Sequence, residues 1–250
     1  MLRNARLLLA SNVGGNAEKT LTMKQLITIL AIWIPIIVQG QINLTFIEKQ
    51  DLIKEITYKG DFLNCTKWTD SLGLNYLILS QSKIIKPPIA IEASKKYELI
   101  SYNGRIDTLY SVEADYRDKE IYAYHYLQTI DSTYVLWKLL DYERECPFDL
   151  TIEFLTEKPI ITDLDKNGIC ETWIVYWLGC RSDVSALNMK LMMHEGKNKY
   201  AIRGTRKIRY GDEPDQVDGG KMTKDLTFDK LNKVINNYAI DLWTKYNDEN

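Results

Sequence analysis

TWIVYWL (172–178) is apolar at every position but its first threonine, and it is too short for a buried helix. A strand apolar on both faces belongs near the centre of a sheet that is covered on each side. On either side of it lie segments with a two-residue period or β-rich composition: LNYLILS (74–80), KYELISY (96–102), EIYAYHYL (120–127), TYVLWKLLDY (133–142), LTIEFL (150–155), NMKLMMHE (188–195) and KYAIRGT (199–205). The turns SLGLN, YNGR, IDST and EGKNK separate several of them. Past the acidic loop GDEPDQVDGGK (211–221) the period changes. Phe228, Leu231, Ile235, Tyr238 and Leu242 recur at helical steps, widened by Val234, Ala239 and Trp243. The pattern predicts one mainly-β (α+β) domain over 41–250. It would be an antiparallel sheet, a sandwich or a partial propeller-like meander, ending in an amphipathic helix over 224–246.

Immediately before the central strand stands ITDLDKNGICETW (161–173). Asp163, Asp165 and Asn167 alternate, so a curling backbone can aim all three inward. Gly168 allows a sharp turn, the carbonyl of Ile169 can add an oxygen, and Glu171 can close the site. Calcium, a hard cation wanting six to eight oxygens, suits this set; magnesium, which keeps its waters, suits it less. An EF-hand would need a glutamate six places after the glycine, where Ile174 stands, and helices on both sides. The alternative is a solvated Asp/Asn/Gly turn. The order Asp-x-Asp-x-Asn-Gly-x-x-Glu resembles the strand-loop-strand calcium loops of integrin-type β-propeller repeats over residues 163–171, with no second copy in the chain.

The N-terminal region points to export. KQLITILAIWIPIIVQG (24–40) has a lysine, then an apolar run from Leu26 to Val38 that is short for a bilayer span but suits a secretory signal. Residues 23–40 are read as a signal peptide cleaved before Gln41, and 1–22 as an upstream extension outside the fold. No stable membrane span is expected after cleavage; the destination is the periplasm, the cell surface or the medium. Removing 1–40 leaves 28 Lys+Arg against 33 Asp+Glu, a net charge of about −5, which gives nucleic acid no basic field to bind. Cys65, Cys146, Cys170 and Cys180 allow three complete pairings in an oxidising space. They form no zinc-type cluster, and only His125 and His194 are present.

From Trp68 to about Thr205 the chain resembles an exported Gram-negative bacterial family labelled surface polysaccharide biosynthesis protein. The residues that carry the likeness are WTDSLGLNYLIL (68–79), YAYHYL (122–127), segments of 135–151, ITDLDKNG (161–168) and CRSDVSALNMKLMMHEGKNKYAIRGT (180–205). The resemblance implies a role in building or maintaining surface glycans, and a cell-surface glycan or envelope protein as partner. Cys146 and Cys180 fall where the family has cysteine, which implies the Cys146–Cys180 disulfide. Cys65 and Cys170 depart from its pattern.

Recognisable catalytic motifs are missing. No Gly-x-Ser-x-Gly elbow occurs. Ser182, Asp183, Ser185 and His194 can be drawn as a triad, but Asp and Ser in such a stretch more often form a hydrogen-bonded turn. Tyr122, Tyr124 and Tyr126 share one strand face, as a sugar-stacking platform or as core packing; His125 faces the other way. The leading expectation is an exported, calcium-binding β protein with a non-catalytic role in surface polysaccharide assembly or glycan binding. The alternatives are a glycan-active hydrolase or transferase with an unlocated carboxylate pair, and an adhesin or protein-interaction module.

Overall fold

The computed structural model describes residues 42–86, 96–100, 106–110, 116–213 and 216–249, with 96–100, 106–110 and 249 described by their backbone alone. The expected extension, signal peptide and cleavage point lie outside these residues. The chain is mainly β, its two large sheets are antiparallel, and among the described residues no sheet closes into a barrel. One sheet has the order β1 (Thr45–Ile47), β2 (Asp61–Asp70), β3 (Gly73–Gln81), β6 (Arg117–Gln128), β7 (Thr133–Cys146). Between β3 and β6 in sequence, β4 (Lys96–Ile100) and β5 (Ile106–Tyr110) pair as a hairpin. The second sheet has the order β15 (Met222–Lys224), β12 (Asn198–Thr205), β11 (Asn188–Glu195), β10 (Glu171–Arg181), β8 (Asp149–Phe154), with β9 (Ile160–Thr162) also on β10. A small third sheet joins β13 (Lys207–Arg209) to β14 (Val217–Gly219) and, in parallel, to β16 (Asp248–Glu249).

TWIVYWL lies within β10, and its two apolar faces go to different places. Ile174, Tyr176 and Leu178 join Trp68, Leu77, Leu79, Ile121, Trp137 and Leu139 of the first sheet in the core between the sheets. Trp173 and Val175 face the opposite way and pack with Met189, Leu191, Met193 and Ile202 under the helix residues Ile235, Ala239, Leu242 and Trp243. The outer face of the first sheet is covered as well, with Ile56 and the partly buried Leu52, Ile53, Tyr58 and Phe62 lying against Tyr76, Ile78, Tyr122, Tyr124 and Tyr126. The order is therefore strap, sheet, sheet, helix. Of the arrangements allowed by the sequence, face-to-face sheets are the one built.

The terminal helix is shorter at its start than expected. A 3-10 turn over Leu226–Lys230 precedes α1, Lys233–Asn247. Asn232 caps α1, its Oδ1 accepting from Val234 N at 3.1 Å, and Asn236 Nδ2 donates to Phe228 O at 2.7 Å. An asparagine cap satisfies an otherwise orphaned helix donor, so the helix begins after it although the apolar stripe reaches back to Phe228. Phe228 still joins the helix layer from the 3-10 turn.

Between the sheets sits an aromatic stack. Trp137 lies flat on His194 at 3.9 Å between centroids and meets His125 edge-on at 5.3 Å; Trp68 is 5.1 Å from His125. His125 Nε2 shares a 2.8 Å hydrogen bond with Asn75 Oδ1. Burial pushes His125 down from 6.5 to about 4, against the weaker pull of Asp70, and pushes His194 down to about 3, helped by Lys199 and His125. Such groups stay neutral when folded and take up a proton when unfolded. Their contribution is complete above pH 6.5 and falls away as the pH drops toward 4. Melting temperature should therefore decline steeply from pH 6.5 to pH 4, and His125→Gln should flatten that decline; an unchanged slope refutes the assignment.

Cys146 of β7 and Cys180 of β10 form a disulfide, Cα to Cα 5.6 Å, across the two sheets. Cys65 and Cys170 are free and buried, each thiol raised to about 12 chiefly by desolvation. With a sequence separation of 34 between the bridged cysteines, the bond restricts the unfolded chain by roughly 3–4 kcal/mol in the loop-entropy description. Cys146→Ala/Cys180→Ala should lower the urea midpoint accordingly, while alkylating Cys65 and Cys170 should require unfolding first.

Candidate metal centre

The acidic loop links β9 to β10, antiparallel neighbours with Glu171 opposite Thr162. The chain reverses there through two left-handed residues, Lys166 at φ 60° and Gly168 at φ 82°. The left-handed backbone at Gly168 favours glycine, and a Cβ there would lie 2.4 Å from Ser71 Oγ, so that hydroxyl would have to rotate away. The turn is knitted by the alternating side chains. Asp163 Oδ2 accepts from Gly168 N at 3.2 Å, Asp165 Oδ1 from Asn167 N at 3.2 Å, and Asn167 Oδ1 from Ile169 N at 2.7 Å.

The consequence is convergence. Asp163, Asp165 and Glu171 each offer a carboxylate oxygen, and these oxygens lie within 4.8 Å of one another. Asp163 Oδ1 is buried and no donor reaches it. Glu171 is fully buried, held by Thr162 Oγ1 at 2.7 Å and by Leu164 N at 3.0 Å. Trp173 Nε1 donates in turn to Thr162 Oγ1 at 2.8 Å, which fixes that hydroxyl. Desolvation raises the Glu171 carboxyl above its ordinary range; hydrogen bonds from Thr162 and Leu164 pull it down, and the charge of Asp165 raises it further. Three carboxylates gathered this way, one of them buried, are an arrangement that a divalent cation would relieve.

Asn167 and Ile169 stand differently from the carboxylates. Asn167 turns its NH2 toward the acids, donating to Asp165 Oδ2 at 3.1 Å and to Glu195 Oε1 at 2.6 Å. Its side chain thus bridges two carboxylates as a donor. A coordinating role would need that amide rotated to present its oxygen. Ile169 enters through its amide, tied back to Asn167.

Two participants escaped the linear reading. Glu195 comes from the end of β11, opposite Glu171 in register, and adds a fourth acid at the rim. The β2–β3 turn is the other. Ser71 N donates to Gly168 O at 2.8 Å, and Asp70 Oδ2 accepts from Cys170 N at 3.2 Å and from Trp68 Nε1 at 3.3 Å. The loop thereby clasps the first sheet to the second. In sequence, Glu195 reads as the start of an EGKNK turn and Asp70 as the residue just before SLGLN; nothing local marks either as a neighbour of the acidic loop.

The remaining candidates are placed elsewhere. Tyr122, Tyr124 and Tyr126 do share a face, but they are buried beneath the 52–62 strap. Tyr126 OH donates to Thr57 O at 2.6 Å and Tyr124 OH accepts from Lys59 N at 3.2 Å, so the rings offer no open platform for a sugar. The paper triad does not assemble either. Ser185 N donates to Asp183 Oδ1 at 2.9 Å in an exposed turn before β11, while His194 is buried near the far end of that strand. Six residue steps of strand separate Asn188 from His194, roughly 20 Å.

Comparison with known protein families, curated proteins and solved structures returned no match. The site's meaning rests on its own geometry. A carboxyl whose folded value is raised favours the protonated form; its contribution is present below the ordinary carboxylate range and lost as the pH rises through the folded value. In chelator at pH 7.5, Glu171→Gln should therefore melt no lower than the parent protein, and the two should converge as the pH falls below about 4. A clear loss of stability at pH 7.5 contradicts a buried anion awaiting a cation.

Proposed function

We propose that this is an exported, disulfide-braced β-sandwich whose acidic loop binds calcium, and that it acts at the cell surface by binding rather than by catalysis. The convergence of Asp163, Asp165 and Glu171 around buried, donor-free Asp163 Oδ1 carries the metal reading. Calcium is favoured over magnesium because the loop supplies several protein oxygens at flexible spacing, whereas magnesium demands strict octahedral geometry and keeps its waters. An ion there would tie together β9, β10 and, through Ser71 and Asp70, the turn of the opposite sheet. Its role would be to hold the two sheets in register at that end.

The Cys146–Cys180 bridge supports an oxidising compartment, where disulfides persist, and so supports export. Among the described residues no helix is long and apolar enough to cross a membrane. The polysaccharide part of the reading rests on the resemblance over residues 68–205, and the absence of an assembled nucleophile–base pair at Ser185 and His194 favours binding over hydrolysis at those residues.

Saturating calcium at one hundred times its dissociation constant should add about 2.7 kcal/mol of stability. Purified protein should show a melting temperature several degrees lower in EDTA, restored by excess calcium and less well by magnesium; Asp165→Ala should abolish the difference. Coincident melts with and without chelator end the calcium reading. In a deletion strain, altered surface polysaccharide restored by the parent gene is expected, and an unchanged polysaccharide profile ends the glycan role.

A further inference from the structure

The bridge between the sheets offers its two sulfurs unequally. Cys146 is fully buried at the end of β7, whereas Cys180 of β10 is partly exposed. Cys180 also lines a cleft of about 240 Å³ with Glu143, Gly179, Arg181 and residues 185–188, and Cys146 is not part of its wall. That volume is small for a drug-sized ligand but has room for a reagent the size of cysteine. Thiol–disulfide exchange proceeds by attack of a thiolate on one sulfur, and access decides which sulfur is struck. A reagent in this cleft meets Cys180 first.

The surroundings of Cys146 suit the other role, that of leaving group. Arg117 stands opposite Cys146 in the β6–β7 register. Its Nη2 donates to Phe148 O, and that same carbonyl oxygen lies 3.3 Å from Cys146 Sγ. The guanidinium is therefore joined to the sulfur through one shared neighbour. Arg117 Nε is buried and reaches no acceptor in the bridged protein. Buried donors are almost always bonded, and a thiolate on Cys146 would give this one an acceptor from inside the fold. A cation beside a sulfur also favours its thiolate, which makes it the better leaving group. Cys65 and Cys170 are buried and line no part of the cleft, so the chain holds no competing thiol there.

We infer that Cys180 is a site of S-thiolation, open to a small-molecule thiol that enters through this cleft. The incoming thiol gives its proton to solvent, and its thiolate attacks Cys180 Sγ. A new disulfide forms between the reagent and Cys180 while the Cys146–Cys180 bond breaks. The electron pair of that bond leaves on Cys146, as a thiolate beside Arg117. One disulfide replaces another, so no oxidant is consumed. The step reverses when the Cys146 thiolate expels the reagent and restores the bridge. Its effect is to unfasten β7 from β10 at that end of the sandwich. The acidic loop takes no part, so this inference stands or falls separately from the calcium reading.

The test is incubation of the folded, bridged protein with L-cysteine at about pH 8, where an ordinary thiol is partly ionised. Acid quench, unfolding and alkylation with N-ethylmaleimide follow, and peptide mass spectrometry locates both labels. Cysteinylation is expected on Cys180 and maleimide on Cys146, favoured about tenfold or more over the reverse arrangement. In urea, where both sulfurs are open, that preference should vanish. Arg117→Gln should slow the exchange roughly threefold or more, and Arg117→Lys, which keeps the cation, should recover the rate. The position of the adduct in the parent protein is decisive by itself if Arg117→Gln does not fold. Adduct on Cys146, an even split in the folded protein, or no exchange until urea is added overturns the inference. So does an Arg117→Gln rate equal to that of the parent, since it removes the reason for Cys146 to leave.

Discussion

Strand β10 has no face left for water. Alternate residues feed two separate cores, one shared with the first sheet and one shared with the terminal helix. Each apolar side chain buried there contributes roughly 1.5–3 kcal/mol relative to exposure. Both packing partners are thereby obligatory, because removing either would leave a continuous apolar strip in solvent. The layered order follows from this, including the position of α1 and the stacking of the sheets. It also leaves the sheet-to-sheet contact with few polar obligations, met by long-range side-chain pairs: the Tyr176 hydroxyl and Lys190 ammonium on Asp141, and the imidazole of His125 on Asn75.

The acidic loop works on the same junction from its edge. The chain must turn between β9 and β10 where the first sheet's Asp70–Gly73 turn approaches, and its left-handed conformation at 168 favours glycine. The side chains that close this turn are acids, so a structural necessity brings carboxylates together. A cation would convert that repulsion into a third fastening, beside the hydrophobic contact and the disulfide. The three would then differ in what loosens them: denaturant for the core, reductant for Cys146–Cys180, chelator or acid for a cation-loaded loop. The His125 and His194 pair adds a second acid-sensitive element at the same interface, where protonation would have to occur between packed indoles.

Much of this was legible in one dimension. Alternation and apolar runs have local causes, so the strands, the helix and the central place of TWIVYWL could be read from periodicity. The loop's alternating oxygens and its glycine are consecutive in the chain, so Asp163, Asp165 and Glu171 could be named before any fold was known. The disulfide came from likeness to a family, not from the spacing of four cysteines, and the structure shows that pair. The helix start was misplaced because an apolar stripe continues through a 3-10 turn, and only the Asn232 cap distinguishes the two.

Contacts between distant segments were decided by tertiary structure alone. A tyrosine ladder looks the same in sequence whether solvent or a strap lies over it; residues 52–62 cover it here, and their own sequence does not declare a partner. Glu195 and Asp70 reach the acidic loop through strand register and sheet stacking, interactions spanning 28 and 100 residues that no local pattern encodes. The bulge at Leu63 is likewise a property of how β2 pairs with β3. Local chemistry determined which residues would form strands and which would crowd a turn. Long-range packing determined what each of them faces, because burial is a relation between segments and not a property of one.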